Sequence, residues 1–263
     1  MKGKRPPSKS RSSGPAASDP WSTFRALTPA RIGLARAGAS LATAPLLDFR
    51  LAHARARDAV HEAIDVARLL ADLAPLGLPT LTVESAVSDH AHYLMRPDLG
   101  RQLAPGSEGI LAPHAATYDV AFLVADGLSA RAVQMHASPL LAAALPMLRR
   151  AEWRIAPLVV VRHGRVAIGD AIAAVLGAAS VAILIGERPG LTAPDSMGAY
   201  LTWRPGTQTT DADRNCISNI RPDGIGYADA AQKLGQMLTA MRARQLSGVR
   251  LKDDADGRAI EGS

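Results

Sequence analysis

One cysteine, Cys216, stands in 263 residues, so an intramolecular disulfide is impossible and a cysteine-built zinc site lacks its ligands. The chain therefore fits a reducing compartment, with the cytoplasm as the default. Aromatic residues make up 4% of the sequence, too few for the base-stacking platforms of single-strand nucleic-acid binders. No apolar run approaches the roughly 18 residues of a membrane span, and no apolar core of signal-peptide length follows the basic amino terminus. The formal charge of +6 does not restore a nucleic-acid reading. Lys2, Lys4, Arg5, Lys9 and Arg11 stand against Asp19 alone in the first twenty residues, leaving +2 for everything after them. No basic stripe remains, and neither a nucleic-acid nor a membrane partner is expected.

Several catalytic signatures are missing as well. G-R-V-A-I-G-D at 164–170 has the glycine spacing of a phosphate loop but carries Asp170 where the phosphate-binding lysine is required. No G-x-G-x-x-G follows a strand, no G-x-S-x-G occurs, and His61-Glu62 lacks the second histidine of a zinc-protease helix. The chain offers neither a complete catalytic set nor a metal-ligand set of its own.

What is present is a change of pattern along the chain. Residues 1–20 are rich in Ser, Pro, Lys and Arg and read as a disordered basic tail. Such a tail is either a solvated end or an address tag. From Pro45 to Leu73 apolar residues recur at three- and four-residue steps, which predicts one amphipathic helix within a helical N-terminal region, 21–105. Over 106–263 short apolar runs alternate with helical periods: 120–125, 130–149, 158–161, 170–176, 181–185 and 227–246. That alternation predicts an α/β fold, a Rossmann-like parallel sheet flanked by helices. Arg162 to Arg165 is open to a second reading, a tight hairpin with 166–168 as a returning strand. Ser129, after Asp126 and Gly127, is placed to cap a helix.

The stretch from Val181 to Pro222 is the richest in chemistry. Five apolar residues, Val181 to Ile185, end at Gly186, Pro189 and Gly190, so Glu187 and Arg188 sit just past the carboxyl end of a strand. Ligands bind at that edge in open α/β sheets.

The same stretch carries G-E-R-P-G at 186–190, Y-L-T-W at 200–203 and R-N-C-I-S-N-I-R-P at 214–222. Upstream stand T-P-A-R-I-G-L-A-R-A-G at 28–38, the segment 46–60, Y-L-M-R-P-D-L-G-R at 93–101, A-D-G-L-S-A at 125–130 and G-R-V-A-I-G-D at 164–170. In this order they resemble the small subunit of ethanolamine ammonia-lyase, over about residues 27–252. Ala35 and His90 depart from the pattern, where glycine and arginine are usual.

The resemblance implies an adenosylcobalamin-dependent deamination of ethanolamine to acetaldehyde and ammonia, in which a large barrel subunit holds the substrate. This chain would close the cobalamin site in a hetero-oligomer, in the cytoplasm or, if the tail is a tag, inside a bacterial microcompartment. Carried over residue by residue, Val166, Glu187 and Cys216 would lie against the cobalamin. Arg31, Arg36, Arg96 and Arg101 read as contacts to the large subunit or to chain carbonyls, or as solvated charge.

A corrin ring is rimmed by neutral amides, so its protein partners need mixed donors and acceptors rather than one sign of charge. Glu187 could accept from an amide, Val166 and Cys216 could offer backbone groups and apolar contact, and Gly164, Gly186 and Gly190 would let the chain approach a bulky ligand. Read without the resemblance, Cys216 is an ordinary buried thiol, Val166 ordinary core, and Glu187 a partner of Arg188 or of a helix N-terminus. No D-x-H-x-x-G occurs, so no histidine here is expected to ligate cobalt. The rival readings are a stand-alone α/β nucleotide-binding enzyme and a scaffolding protein.

Overall fold

The computed structural model describes residues 19–251, so the tail expected over 1–20 lies outside them except for its last two residues. The chain divides into two compact units, one ending at Arg50 and one beginning at Leu51.

The first unit consists of α1 (Ser22–Ala26), a minimal hairpin of β1 (Arg36–Ala37) with β2 (Ser40–Leu41), and the start of α2 (Thr43–His61). Local bonds hold it. Arg25 pairs with Asp19 and its Nη1 donates to the Gly33 carbonyl at 2.7 Å. Gly33 has φ +54°, and a Cβ there would overlap the indole of Trp21. Among the described side chains of residues 19–50 none is buried; Leu27 is 80% exposed.

In the second unit the helix predicted over 45–73 is two helices, α2 and α3 (Val66–Leu73). Asp65 explains the break: its side chain accepts the Arg68 N–H at 3.0 Å and caps a new helix, which the apolar spacing alone does not reveal. Then follow β3 (Thr80–Glu84), α4 (His90–Met95), α5 (Ser107–Leu111), β4 (Ala121–Ala125), α6 (Ala130–Arg150), β5 (Leu158–Arg162), α7 (Ile168–Leu176), β6 (Ser180–Gly186), β7 (Met197–Trp203), β8 (Arg214–Ile220) and α8 (Tyr227–Arg244). Ser129 caps α6 by accepting from the Ala132 N–H. The 162–168 segment is no hairpin: His163 turns with φ +54° and the chain enters α7.

The six-stranded sheet has the order β3-β5-β4-β6-β7-β8. Its first four strands are parallel, and β7 and β8 add an antiparallel extension. The α/β, Rossmann-like class holds, with two differences. β3 comes from a segment expected to be helical. β7 and β8 come from segments outside the series of apolar runs, because Gly198 interrupts one and Arg214, Asn215 and Asn219 make the other polar, as suits an edge strand.

In β4, and in β5 and β6 apart from their end residues Arg162, Ser180 and Gly186, every residue is apolar yet the faces still alternate. Phe122, Val124, Ala182 and Leu184 pack into one core with α6 and α8, while Leu123, Val159, Val161 and Ile183 pack into the other with α7. Each of these Phe, Leu, Ile and Val side chains contributes about 1.5–3 kcal/mol by leaving water. α7 packs on β4 and β6; beyond it Tyr200 and Cys216, register partners on β7 and β8, lie side by side.

Candidate functional site

The loop from His163 to Ala167 is fixed from two directions. On one side the buried carboxylate of Asp126, at the end of β4, accepts the backbone N–H groups of His163 (2.9 Å), Gly127 (3.0 Å) and Gly164 (3.2 Å). Burial pushes this carboxyl up, against the lowering effect of those donors. On the other side the fully buried Tyr93 of α4 donates its hydroxyl to the Gly164 carbonyl at 3.2 Å, and the Arg165 guanidinium lies 4.0 Å over its ring. The Arg165 N–H donates to the Gly100 carbonyl at 2.7 Å, and a Cβ on Gly100 would meet the Arg165 side chain at 2.8 Å. Val166 is thereby held at the mouth of α7. Its N–H precedes the first helical bond and has no acceptor among the described residues.

Val166 and Cys216 line one cavity of about 360 Å³, together with Arg101, Arg165, Tyr200 and Arg214. Arg214 belongs to the wall structurally: its side chain is 4% exposed and it grips Asp170 of α7 bidentately, at 2.6 and 2.8 Å. Asp170, which stands where a phosphate loop needs lysine, thus ties β8 to α7.

Glu187 sits beside this cavity and is not part of its wall. Its carboxylate accepts the Asn219 N–H at 3.2 Å and the Ser196 hydroxyl, and Gly198 leaves room for it. It engages neither Arg188 nor a helix N-terminus. Its charge reaches the cavity all the same. Desolvation pushes the Cys216 thiol above its ordinary value and Glu187 adds to the effect, while the hydroxyl of Tyr200 opposes it. The Tyr200 phenol is raised by desolvation first, then by Cys216 and Glu187. Cys216 is exposed, not an ordinary buried thiol, and at neutral pH it is protonated, a hydrogen-bonding and packing group rather than a nucleophile.

Two of the three glycines expected to admit a ligand do something else. A Cβ on Gly186 would strike the Ser129 and Asp126 carbonyls at 2.1 and 2.6 Å, and one on Gly164 would strike Val161 at 2.9 Å. These glycines let backbone pack on backbone and on core. Gly127 meets Gly186 in the same way, at 2.4 Å from its carbonyl oxygen, so the crevice between the ends of β4 and β6 is filled by the chain itself. The open site lies on the face of the antiparallel extension instead.

A profile of the family described as ethanolamine ammonia-lyase light chain matches residues 18–252. The chain belongs to that family. An ethanolamine ammonia-lyase small subunit of Ralstonia nicotianae is 52% identical over 247 residues, 92% of each chain. Proteins of the same name from Azotobacter vinelandii and Pseudomonas aeruginosa are 51% and 49% identical, covering 95% and 94% of this chain and 94% and 92% of their own lengths. The match spans the whole cavity and both units. Among the described residues no helix is long and apolar enough to cross a membrane.

Tyr93, Arg165, Tyr200 and the Arg214–Asp170 pair are the parts that sequence reasoning did not single out. Each lies inside a segment quoted for the family resemblance, but nothing in a one-dimensional pattern sets Tyr200 opposite Cys216 or Asp170 beside Arg214.

Proposed function

We infer that the chain is the small subunit of an adenosylcobalamin-dependent ethanolamine ammonia-lyase and closes the cobalamin site against a large subunit in a hetero-oligomer. The observation that carries this reading is the cavity that Val166 and Cys216 share on the uncovered sheet face, with the Glu187 carboxylate beside it. Its chemistry fits the cofactor. The wall mixes an apolar surface (Val166, Tyr200) with donors that the chain leaves unused, the Val166 N–H and a buried Nε of Arg165 without any partner. A periphery of neutral amides needs such a mixture and not a cluster of one sign.

When bound, adenosylcobalamin supplies the radical chemistry that converts ethanolamine to acetaldehyde and ammonia. The part of this chain is to bind, orient and exclude water. Val166 offers its N–H from a loop immobilised by Asp126 and Tyr93, so little ordering is required on binding. Cys216 and Tyr200 present a protonated, mutually hydrogen-bonded surface. Glu187 fixes the β7–β8 end through Asn219 and Ser196 and brings a carboxylate to the rim of the cavity, able to accept from a side-chain amide. No residue of this chain is assigned a catalytic role, and the complex is placed in the cytoplasm, with a microcompartment as its location if the basic tail serves as a tag.

The test is reconstitution with an ethanolamine ammonia-lyase large subunit. Acetaldehyde release from ethanolamine should require both proteins and adenosylcobalamin. A demonstrably assembled complex that binds no cobalamin and releases no acetaldehyde would overturn the reading.

A further inference from the structure

Two guanidinium groups at the cavity have no carboxylate to pair with. The side chain of Arg101 forms no hydrogen bond or ion pair among the described residues. Arg165 donates one Nη to the Tyr93 carbonyl at 3.3 Å and stacks on that ring, but its Nε is buried and unpartnered. The third arginine of the wall, Arg214, is neutralised by Asp170, and the acid that faces the cavity, Asp211, stands 3.7 Å from Arg214. Both acids are thus drawn to Arg214, and the positive charge of the wall that has no acid against it is local to Arg101 and Arg165. These two are neighbours by construction, since the Gly100 carbonyl accepts the Arg165 N–H. The mouth of α7 adds the Val166 N–H on the same wall, and no side chain caps that helix.

A buried guanidinium nitrogen without an acceptor costs free energy unless a ligand supplies one, and a fork of fixed N–H groups matches phosphate oxygens best. Among the chemical groups of cobalamin the phosphodiester of the nucleotide loop is the anion; the corrin periphery is neutral amide. We propose that Arg165, with Arg101, is the anion-recognising element of this cavity and binds the phosphodiester of the cobalamin nucleotide loop, so that the chain selects complete cobalamins over cobinamides. This rests on the cofactor reading above. A carboxylate of the large subunit could meet the same cations, but Arg101 and Arg165 line a concave cavity shared with Val166 and Cys216, which favours a ligand over a flat protein contact.

The experiment compares adenosylcobalamin with adenosylcobinamide, which lacks the phosphodiester and its base, by equilibrium binding to the assembled complex of both subunits. Wild type should prefer the cobalamin. Arg165→Met should weaken adenosylcobalamin about ten- to a hundred-fold and leave adenosylcobinamide nearly unchanged, Arg165→Lys should restore part of the difference, and the exposed Arg101→Ala should act in the same direction. A loosened loop would weaken both ligands alike, so an equal loss on both overturns the assignment, as does unaltered discrimination. Weakened subunit association in size-exclusion chromatography with discrimination intact assigns the cations to the large subunit and overturns it too. A wild-type complex that binds neither ligand removes the cofactor reading itself, an outcome distinct from the other three.

Discussion

The parallel half of the sheet and its antiparallel extension use side chains in opposite ways. β4, β5 and β6 are apolar along almost their whole length and covered on both faces, so each residue goes to core and none is left for chemistry. β7 and β8 send Ala199, Leu201 and Ile217 to the core, while on their other face Tyr200, Arg214 and Cys216 stand at the cavity beyond α7. The difference shows where a site can arise in this fold. With the usual crevice filled by Gly127 and Gly186, the face of the extension turned away from α6 and α8 is the surface where ligand-binding groups can gather.

Substitutions can test this division, beginning with the largest effect. Phe122→Ala in β4 should cost about 3–5 kcal/mol in chemical denaturation, because the side chain is fully buried and its cavity cannot collapse between two covered faces. The bond between the halves should be nearly as costly to break. Asp170→Ala leaves Arg214 buried and without its bidentate partner, and a loss of about 3 kcal/mol is expected, together with loosening of the cavity wall seen as faster proteolysis between β7 and α8.

Within the extension itself the effect should move from stability to binding. Glu187→Ala should lower adenosylcobalamin affinity of the assembled complex about ten- to a hundred-fold, while Glu187→Gln, which keeps an acceptor for the Asn219 N–H, should retain most of the fold's rigidity there. Unchanged affinity in Glu187→Ala would confine that residue to holding β8. The smallest effect is on Cys216. Its thiol is exposed but raised in pKa, so labelling by a thiol reagent should keep accelerating to a higher pH than that of an ordinary thiol. The same shift has a stability sign: the unfolded chain releases this proton first, so its contribution to folding is present below the ordinary thiol value and declines as pH rises through it.

The two halves also differ in how far the sequence betrays them. β4, β5 and β6 are visible as apolar runs, and α6, α7 and α8 as helical periods, because burial on both faces leaves a pattern that needs no partner to interpret. β8 is hidden for the converse reason: an edge strand with one solvent-facing side carries Arg214, Asn215 and Asn219 and so resembles a loop. The split of α2 from α3 turns on one capping side chain, Asp65. Val166, Glu187 and Cys216 could be named through family-like segments, but their spatial relation could not. It depends on the Tyr200–Cys216 register and on Tyr93 and Asp126 clamping a loop from positions 71 and 38 residues away.

The unit that ends at Arg50 has order without a core. In hydrogen-exchange terms its amides before α2 have in the isolated chain only fraying of a five-residue helix and a two-residue hairpin between them and solvent, whereas those of β4 exchange only when the whole sheet opens. The two clocks run at rates set by separate free energies, so a proton–deuterium exchange map of the subunit alone and of its assemblies would report directly on which of them changes the first 50 residues and leaves the sheet untouched.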